Sequence, residues 1–305
     1  MLPAYDLPTK DATPAGEEKL RQIQSYISKM PSLSTTVMKV MEVCNKPNTS
    51  PNDLNRVISL DPVLTGRVLK LINSAYYALP NQITSLTRAI IMLGLNTVKN
   101  LALSAAILQS VGGKDSFRAL SMDDFWTHSI AVGVTSKALS AQKRIPASLR
   151  EEYFVSGMLH DLGKIPLSNR YPEEYLQAMD LARAGESALC LAEQQIFGVD
   201  HCRVGRMIAE KWELSGVLGD SLVHHHDPDQ ADAENRPVVL IVCLADCYTN
   251  AMAQARRGGG GPDDRRFNLL LEVSGISRES LEGLQETVLG EIEKAKVFLQ
   301  VAGKG

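Results

Sequence analysis

Apolar residues recur at helical spacing along almost the whole chain from Glu17 onward. Between residues 34 and 45, for example, Val37, Val40 and Cys44 repeat every three or four positions, as expected for one buried helix face. Ser50-Pro51 then combines a capping side chain with a proline at the first helical position. No alternation of apolar and polar residues is long enough to predict a strand. The sequence therefore predicts an all-α protein.

Composition divides the chain into four segments. The start is rich in Pro, Thr and Asp, which predicts a flexible tail, and glycines at 112–113 and 258–261 mark two junctions. The last segment is predicted to contain one helix over residues 278–301 that packs on the core. The segments are a tail (1–16), an N-terminal helical lobe (17–111), a central helical core (115–256) and a C-terminal helix (265–305).

The composition of the 305 residues excludes several classes of protein. A hydrophobic share of 44% supports a full core, and a net charge of −3 provides no basic surface for nucleic acid. No uninterrupted apolar run is long enough to span a membrane, and the N-terminus lacks the pattern of a secretory signal. The five cysteines form no CxxC pair, which indicates reduced, buried thiols in a cytoplasmic protein.

All six histidines lie in one stretch, between His128 and His226. Imidazole is the commonest protein ligand for metals. Two carboxylates accompany these histidines: Asp161 follows His160 at the end of an apolar run, and Asp246 lies in the most apolar predicted helix. An ionised carboxylate in such surroundings is costly unless it is paired or bound to a cation. The spacing places these groups on five separate helices and indicates a shared metal centre.

Each of these residues also has an ordinary interpretation. His128 alone fits a core histidine, His201 fits a solvated residue at a helix start, and the run from His224 to His226 fits a polar helix C-terminus. Taken together, imidazoles with carboxylates favour iron, manganese, zinc or nickel. The adjacent side chains of His225 and His226 do not readily face one ion, and a centre with two ions removes that difficulty.

The segment Gly157-Met-Leu-His-Asp-Leu-Gly-Lys164 resembles the signature of the HD superfamily of metal-dependent phosphohydrolases. The resemblance implies one set of ligands for a first ion and three histidines that complete a second. Lys164 is similar to a lysine that meets substrate phosphate or a bridging ligand in some relatives, although alone it fits a solvent-facing lysine. The implied ligands are His128, His160, Asp161 and Asp246 for the first ion, and His201, His225 and His226 for the second.

The N-terminal half resembles the HDOD domain, the HD-related output domain of bacterial signalling proteins. The resemblance implies an all-α body in which an N-terminal helical lobe packs on the HD-type core. Many members lack part of the metal-ligand set that this chain keeps. The HD-GYP branch is less similar, because no Gly-Tyr-Pro follows His226. The segments that carry the HDOD resemblance are Pro31-Ser-Leu33, Leu60-Asp61-Pro62-Val-Leu64, Leu71-Ile-Asn73-Ser74-Ala75 and Ala89-Ile-Ile-Met-Leu93-Gly94.

The resemblance predicts a cytoplasmic regulatory module of bacterial signal transduction that binds two divalent metal ions, iron or manganese before zinc or nickel. Its expected partner is a signalling protein or a small phosphorylated ligand, not nucleic acid or a membrane. The alternative is a phosphohydrolase that cleaves a nucleotide or cyclic dinucleotide. In that case Asp161 orients the attacking water and Lys164 neutralises the developing phosphoryl charge. A third hypothesis is a metal-free scaffold with a histidine-lined cleft.

Two further segments each allow two interpretations. Residues 73–77, which include Tyr76 and Tyr77, form either an exposed surface for a partner or aromatic side chains packed on the core. The arginines that flank the glycine run, Arg256-Arg257 and Arg265-Arg266, form either a basic spot for phosphate or acidic protein, or part of a solvated linker.

Overall fold

The computed structural model describes residues 14–46, 48–111, 118–183, 188–256 and 264–301. Every regular element within these ranges is a helix, which confirms the all-α prediction. The junction glycines at 112–113 and 258–261 and most of the predicted tail lie outside the described residues. The first helix begins at Pro14, so it includes three residues that the sequence analysis placed in the tail.

Side-chain caps and prolines set the starts of several N-terminal helices. The Ser50 hydroxyl accepts a hydrogen bond from the Asp53 N–H, and the Asp53 carboxylate accepts one from the Ser50 N–H at 3.0 Å. Asp61 accepts a hydrogen bond from the Leu64 N–H at 2.9 Å in the same manner. The N-terminal helices are α1 (Pro14–Lys29), α2 (Thr35–Cys44), α3 (Pro51–Ile58), α4 (Pro62–Ile72), α5 (Leu86–Leu93) and α6 (Leu95–Val111).

The central helices begin with similar caps. Ser121 accepts a hydrogen bond from the Asp124 N–H, and Asp200 accepts one from the Arg203 N–H at 2.8 Å. Two short 3₁₀ helices, Ala147–Leu149 and Pro228–Gln230, lie among the described connections. The central α-helices are α7 (Met122–Gln142), α8 (Arg150–Leu159), α9 (Lys164–Arg170), α10 (Pro172–Arg183), α11 (Leu189–Phe197), α12 (His201–Trp212), α13 (Gly216–His224) and α14 (Arg236–Arg256).

The C-terminal segment is not the single helix that the sequence predicted over residues 278–301. Gly275 adopts a left-handed φ of 68° after one helix, and the Ser277 hydroxyl then caps the next. Further breaks follow at Gly283 and Lys296. The apolar spacing continues across these breaks, so periodicity alone did not reveal them. The observed helices are α15 (Asp264–Ser274), α16 (Arg278–Glu282), α17 (Gln285–Ala295) and α18 (Val297–Val301).

The crossing of α7 and α8 lies at the centre of the molecule. Gly133 and Gly157 meet there, and a Cβ atom on Gly157 would lie 2.9 Å from the Gly133 Cα. Glycine therefore permits the close approach of the two backbones. Helix α8 is buried along most of its length and also packs on α6, α13 and α14. This crossing brings His128 on α7 towards His160 at the end of α8.

A continuous hydrophobic core extends from Ile23 on α1 to Val301 on α18. Helix α1 packs mainly on α9, α11 and α12, although the sequence analysis assigned residues 17–29 to the N-terminal lobe. Helix α18 packs on α4 and α6, so the C-terminal helices contact both halves of the chain. The predicted segments therefore share one core.

The two tyrosines that follow α4 pack on the core, as the second interpretation of this segment predicts. Tyr76 is 8% exposed, and its ring centroid lies 5.2 Å from that of Phe154. The Tyr77 hydroxyl donates to Glu151 Oε1 at 2.5 Å, and Lys137 Nζ lies 2.7 Å from Glu151 Oε2. Because Glu151 is also buried, this polar network ties the end of α4 to α7 and α8.

One helix is long and apolar enough to cross a membrane by length and composition, which the sequence analysis did not expect. The window Arg236–Ala253 on α14 has a mean hydropathy of 1.2, and half of it is buried inside the protein. Helix α14 packs on α7, α8, α13 and α15 and carries the buried carboxylate of Asp246. These are the contacts of a core helix, which is apolar on several faces without a bilayer.

Candidate metal centre

All seven predicted ligands and Lys164 converge beside the C-terminal end of α8. Most of them lie at helix ends, where side chains from several helices can approach one point. Two of them, His128 on α7 and Asp246 on α14, come from within helices. The others are His160 and Asp161 after α8, Lys164 at the start of α9, His201 at the start of α12, and His225 and His226 after α13.

A first group of side chains surrounds one oxygen of Asp161. His160 Nε2 lies 3.2 Å from Asp161 Oδ2, and His128 Nε2 lies 3.5 Å from it. Asp246 Oδ1 is 3.1 Å from His128 Nε2 and 3.7 Å from His160 Nε2. Asn250 Nδ2 donates a hydrogen bond to the same Asp246 oxygen at 2.8 Å. Two imidazoles and two carboxylates therefore form one compact set.

A second group lies on the other side of Asp161. His201 Nε2 is 3.4 Å and His225 Nε2 is 3.7 Å from Asp161 Oδ1. His201 Nε2 also lies 3.2 Å from His225 Nε2 and 3.0 Å from His226 Nε2. The two oxygens of one carboxylate therefore face two different sets of imidazoles.

Hydrogen bonds from the ring Nδ1 atoms orient the imidazoles. His160 Nδ1 donates to the Gly157 carbonyl oxygen at 2.6 Å, and His225 Nδ1 donates to the Ser221 carbonyl oxygen at 2.9 Å. A carbonyl oxygen only accepts hydrogen bonds, so these contacts assign the ring proton to Nδ1. His225 thus presents the Nε2 lone pair to the cluster, and His160 presents it once its second proton is lost, as in metal-ligating histidines.

Glu193 on α11 orients a third imidazole, and the sequence analysis missed it. Its Oε2 accepts hydrogen bonds from the His201 backbone N–H at 2.8 Å and from His201 Nδ1 at 2.5 Å. The Tyr175 hydroxyl donates to Glu193 Oε1 at 3.1 Å. A carboxylate behind a ligating histidine fixes the ring and increases the basicity of the other nitrogen. Two glutamines follow Glu193 on α11, so no local sequence signal marks this glutamate.

Buried polar atoms that lack hydrogen-bond partners point to a bound cation. His128 Nε2, His160 Nε2 and Asp161 Oδ1 are buried and make no hydrogen bond to the described residues. Such atoms are rare in folded proteins because each one costs free energy. In addition, the Nε2 atoms of His201 and His225 lie 3.2 Å apart. Imidazole nitrogens this close to one another and to Asp161 can share a cation, so the donor set fits divalent metal ions.

The two carboxylates stay ionised despite their burial. Burial alone would raise the pKa of Asp161, but the nearby His160 and Lys164 cations hold it well below its usual range. Burial would likewise raise the pKa of Asp246, and His128 and His160 hold it well below that range. Both side chains are therefore anionic, which is the form that binds cations.

The imidazoles differ in protonation between the two groups. Burial would lower the pKa of His160, but the Asp161 carboxylate raises it to about 10. Burial, reinforced by neighbouring imidazoles, holds the pKa of His225 and of His226 well below the usual range. His225 and His226 are therefore neutral and ready to bind a cation. In the first group an ion displaces a proton from His160, so ion binding weakens as pH falls.

Lys164 and His128 line the side of the cluster that reaches solvent. Their side chains are 15% and 20% exposed, whereas those of His160 and Asp161 are at most 1% exposed. Lys164 Nζ lies 2.5 Å from Asp161 Oδ2, so the interpretation of Lys164 as a purely solvent-facing residue is wrong. The cluster is therefore open to solvent at these two side chains.

Cys202 and Arg266 also contact the cluster, although the sequence analysis assigned neither of them to it. Cys202 Sγ lies 3.7 Å from His225 Nε2, and burial raises the pKa of this thiol well above its usual value. Arg266 is 6% exposed and donates a hydrogen bond to the His226 carbonyl oxygen at 2.5 Å. It therefore does not belong to an exposed basic spot, and Arg257 lies outside the described residues.

Comparison with known families identifies the architecture. A family model for the HDOD domain matches residues 30–228, which is more than half of the chain. The chain belongs to the HDOD family. The HDOD match contains six of the seven predicted ligands, and Asp246 lies beyond its end.

Solved structures resemble the HDOD chain in fold. A predicted signal transduction protein of Marinobacter aquaeolei has a TM-score of 0.72 at 17% identity, over 97% of this chain and 67% of that one. A predicted metal-dependent phosphohydrolase of Shewanella amazonensis has a TM-score of 0.61 at 17% identity, over 94% of this chain and 100% of that one. At these identities the likeness shows the fold alone.

The curated relatives that match this chain are longer proteins. An uncharacterized protein of Treponema pallidum is 22% identical over 223 residues, which cover 73% of this chain and 42% of that protein. Two further relatives are matched over 31% and 45% of their length. This chain therefore spans less than half of each of these three relatives.

Proposed function

We propose that this protein is a cytoplasmic regulatory HDOD module whose His/Asp cluster binds two divalent metal ions. The observation that supports this most directly is the position of Asp161. Its Oδ2 faces His128 and His160, and its Oδ1 faces His201 and His225. A carboxylate in this position can join two ions.

The donor atoms divide between the two ions. His128, His160, Asp246 and Asp161 Oδ2 would hold the first, and His201, His225, His226 and Asp161 Oδ1 the second. Imidazole and carboxylate donors suit iron, manganese, zinc or nickel, and we expect iron or manganese in the first position. His225 and His226 both lie in the second group, so we propose that they hold the same ion, although the sequence analysis expected that adjacent histidines do not readily face one ion.

Bound ions would add a shared link between helices that already pack on one another. The proposed ligands come from α7, α14 and the termini of α8, α12 and α13. Occupancy of the cluster therefore fixes the relative positions of these helices. The expected partner is a signalling protein or a small phosphorylated ligand that approaches past Lys164. Its binding would depend on the positions of these helices, and this dependence is the basis of the proposed regulatory role.

Asp246→Ala should remove one of the two ions and leave the other bound. Asp246 contacts the first group only, since its Oδ1 lies within 3.7 Å of His128 and His160. Elemental analysis of protein purified without an affinity tag measures this directly. Unchanged metal content in the variant would exclude Asp246 as a ligand, and metal-free wild-type protein would favour the hypothesis of a metal-free scaffold.

A second candidate function is phosphoester hydrolysis, and the position of Lys164 favours it. When bound, two ions can activate a water molecule and stabilise charge on a phosphoryl group. Lys164 lies against Asp161 at the solvent-facing side, where its ammonium group would neutralise a bound phosphate. Asp161 would hold Lys164 in this position and orient the attacking water. The substrate expected from this chemistry is a nucleotide or a cyclic dinucleotide.

Lys164→Gln should lower metal-dependent turnover of a generic phosphodiester by about 10²–10³-fold, the usual effect of losing one charge-stabilising donor. Metal content should stay at the wild-type level, because a lysine ammonium does not bind a cation. Lys294→Gln, which changes a 46% exposed lysine on α17, is the matched control. No metal-dependent turnover by the wild-type protein on a broad nucleotide panel would exclude hydrolysis and leave the regulatory role standing.

A further inference from the structure

We infer that the C-terminal end of α5 is a docking surface for an acidic, amphipathic segment of a partner protein. The apolar part of this surface, which we call the α5 patch, consists of Ile91, Met92 and Leu149. The inference rests on the proposed regulatory role and deepens it, because it names the surface and the chemistry of the signalling protein that would bind there.

The three large apolar side chains of the α5 patch are exposed to solvent. Ile91 is 70% exposed, Met92 48% and Leu149 38%. Leu149 lies beside the end of α5, because a Cβ atom on Gly94 would be 3.7 Å from the Ser148 Cβ. The opposite face of α5 is buried and already anchors the helix in the core. Grouped apolar side chains that remain exposed mark binding sites, whereas single ones need no explanation.

The chain around the α5 patch carries positive charge and lacks negative charge. No Asp or Glu occurs from residue 62 to residue 114, whereas this stretch contains five Lys or Arg residues. Leu149 belongs to a second such stretch, residues 143–150, which contains Lys143, Arg144 and Arg150 and no acid. Because the whole chain has a net charge of −3, the residues outside 62–114 have a net charge of −8. Basic residues are therefore concentrated in the part of the chain that carries the patch.

Arg88 places a positive charge next to the patch. It is exposed on α5, three and four positions before Ile91 and Met92, so it shares their face of the helix. The two carboxylates closest to the patch in the sequence are those of Glu151 and Glu152 on α8, and each has a lysine as a charged neighbour. An approaching partner therefore meets apolar and positive groups together.

These features select a partner segment that is both apolar and acidic. Interfaces pair complementary charges, and a helix can present apolar side chains at i, i+3 and i+4 with acidic residues beside them. An anionic bilayer fits less well, because it attracts clusters of about four to eight basic residues and would repel the rest of this chain, whose net charge is −8. A short acidic segment, in contrast, needs to contact only the basic region.

Binding of a designed peptide to the full-length protein tests the inference. The probe is a fluorescent amphipathic peptide with leucines on one helix face and glutamates on the other, and its counterpart has lysines in place of the glutamates. Fluorescence anisotropy should show that the wild type binds the glutamate peptide at least about tenfold more tightly than the lysine peptide. Ile91→Asp and Arg88→Glu should each weaken binding of the glutamate peptide by at least about tenfold, the usual loss when an interface anchor is replaced.

Leu176→Asp is the matched control, since Leu176 is 45% exposed on α10, which packs on α9 and α11. This variant should bind the glutamate peptide as the wild type does. Circular dichroism should show that all the variants are folded, and elemental analysis should find the wild-type metal content in each of them.

Absence of binding, a preference for the lysine peptide, or an equal effect of Leu176→Asp would overturn the inference. Sedimentation of the wild type, but not of Ile91→Asp, with vesicles that contain phosphatidylserine would overturn it in favour of a membrane. A dimer in sedimentation velocity that Ile91→Asp dissociates would overturn it in favour of a second copy of this chain. Metal-free wild-type protein that still binds the glutamate peptide would support the docking surface and refute the proposed metal centre.

Discussion

Asp161→Asn should release both metal ions, a larger loss than any other single substitution in the cluster. Each oxygen of Asp161 faces a different group of imidazoles, so one neutral amide weakens both positions at once. The metal-free variant should also lose about 3–5 kcal/mol of unfolding free energy, because Lys164 keeps a buried positive charge without its partner.

Elemental analysis and urea unfolding of the same preparations measure both effects. Asp180→Asn is the matched control, since its side chain is 74% exposed on α10 and pairs only with Arg183 in the contacts seen. Its metal content and stability should equal those of the wild type. Retention of both ions by Asp161→Asn would show that the two groups of imidazoles bind ions independently of this carboxylate.

Gly163→Ala should destabilise the protein by about 3 kcal/mol and also reduce metal binding. Gly163 lies in the turn after His160-Asp161 and packs against the first turn of α12. A Cβ atom there would overlap the His201 carbonyl oxygen and lie 2.8 Å from the Gly205 nitrogen. Both of these atoms belong to the backbone, so relief requires α12 to move, and His201 moves with it.

Gly66→Ala is the control, and it should change the free energy of unfolding in the opposite direction. Gly66 is exposed within α4, and no atom lies within 4 Å of an added Cβ. Alanine should therefore raise the unfolding free energy by about 0.5–1 kcal/mol, because the unfolded chain loses conformational freedom. If Gly163→Ala had an effect as small as that of its control, the turn would be adaptable and the close packing on α12 would not position His201.

The sequence predicted the helices where local signals are strong. Ser50, Asp61 and Asp200 each place an acceptor before a helix, and the structure has caps at all three. The breaks at Gly283 and Lys296 within the predicted helix 278–301 were missed because apolar spacing continues across them. The packing of α1 on α9 and α12 was also not visible, since sequence order says nothing about which helices become neighbours.

The sequence predicted those residues of the candidate site whose side chains are unusual for their surroundings in the sequence. The histidines and the two aspartates stand out, and the structure brings both aspartates and five of the six histidines together. Glu193, Cys202 and Arg266 do not stand out, because each is an ordinary residue of its helix until folding places it beside an imidazole. Side chains that contact a metal-ligating residue are brought to it by the fold, so the sequence alone did not reveal them.

Helix α8 is fixed at both of its ends. Glu151, near its start, is held by Tyr77 and Lys137, and His160 terminates it beside Asp161. Its ten residues span about 15 Å and are buried along most of that length. Because α8 is buried and held at both ends, we expect a displacement at its imidazole end to displace the tyrosines that contact its other end. The helix would then connect the candidate metal centre to the helices that precede residue 111.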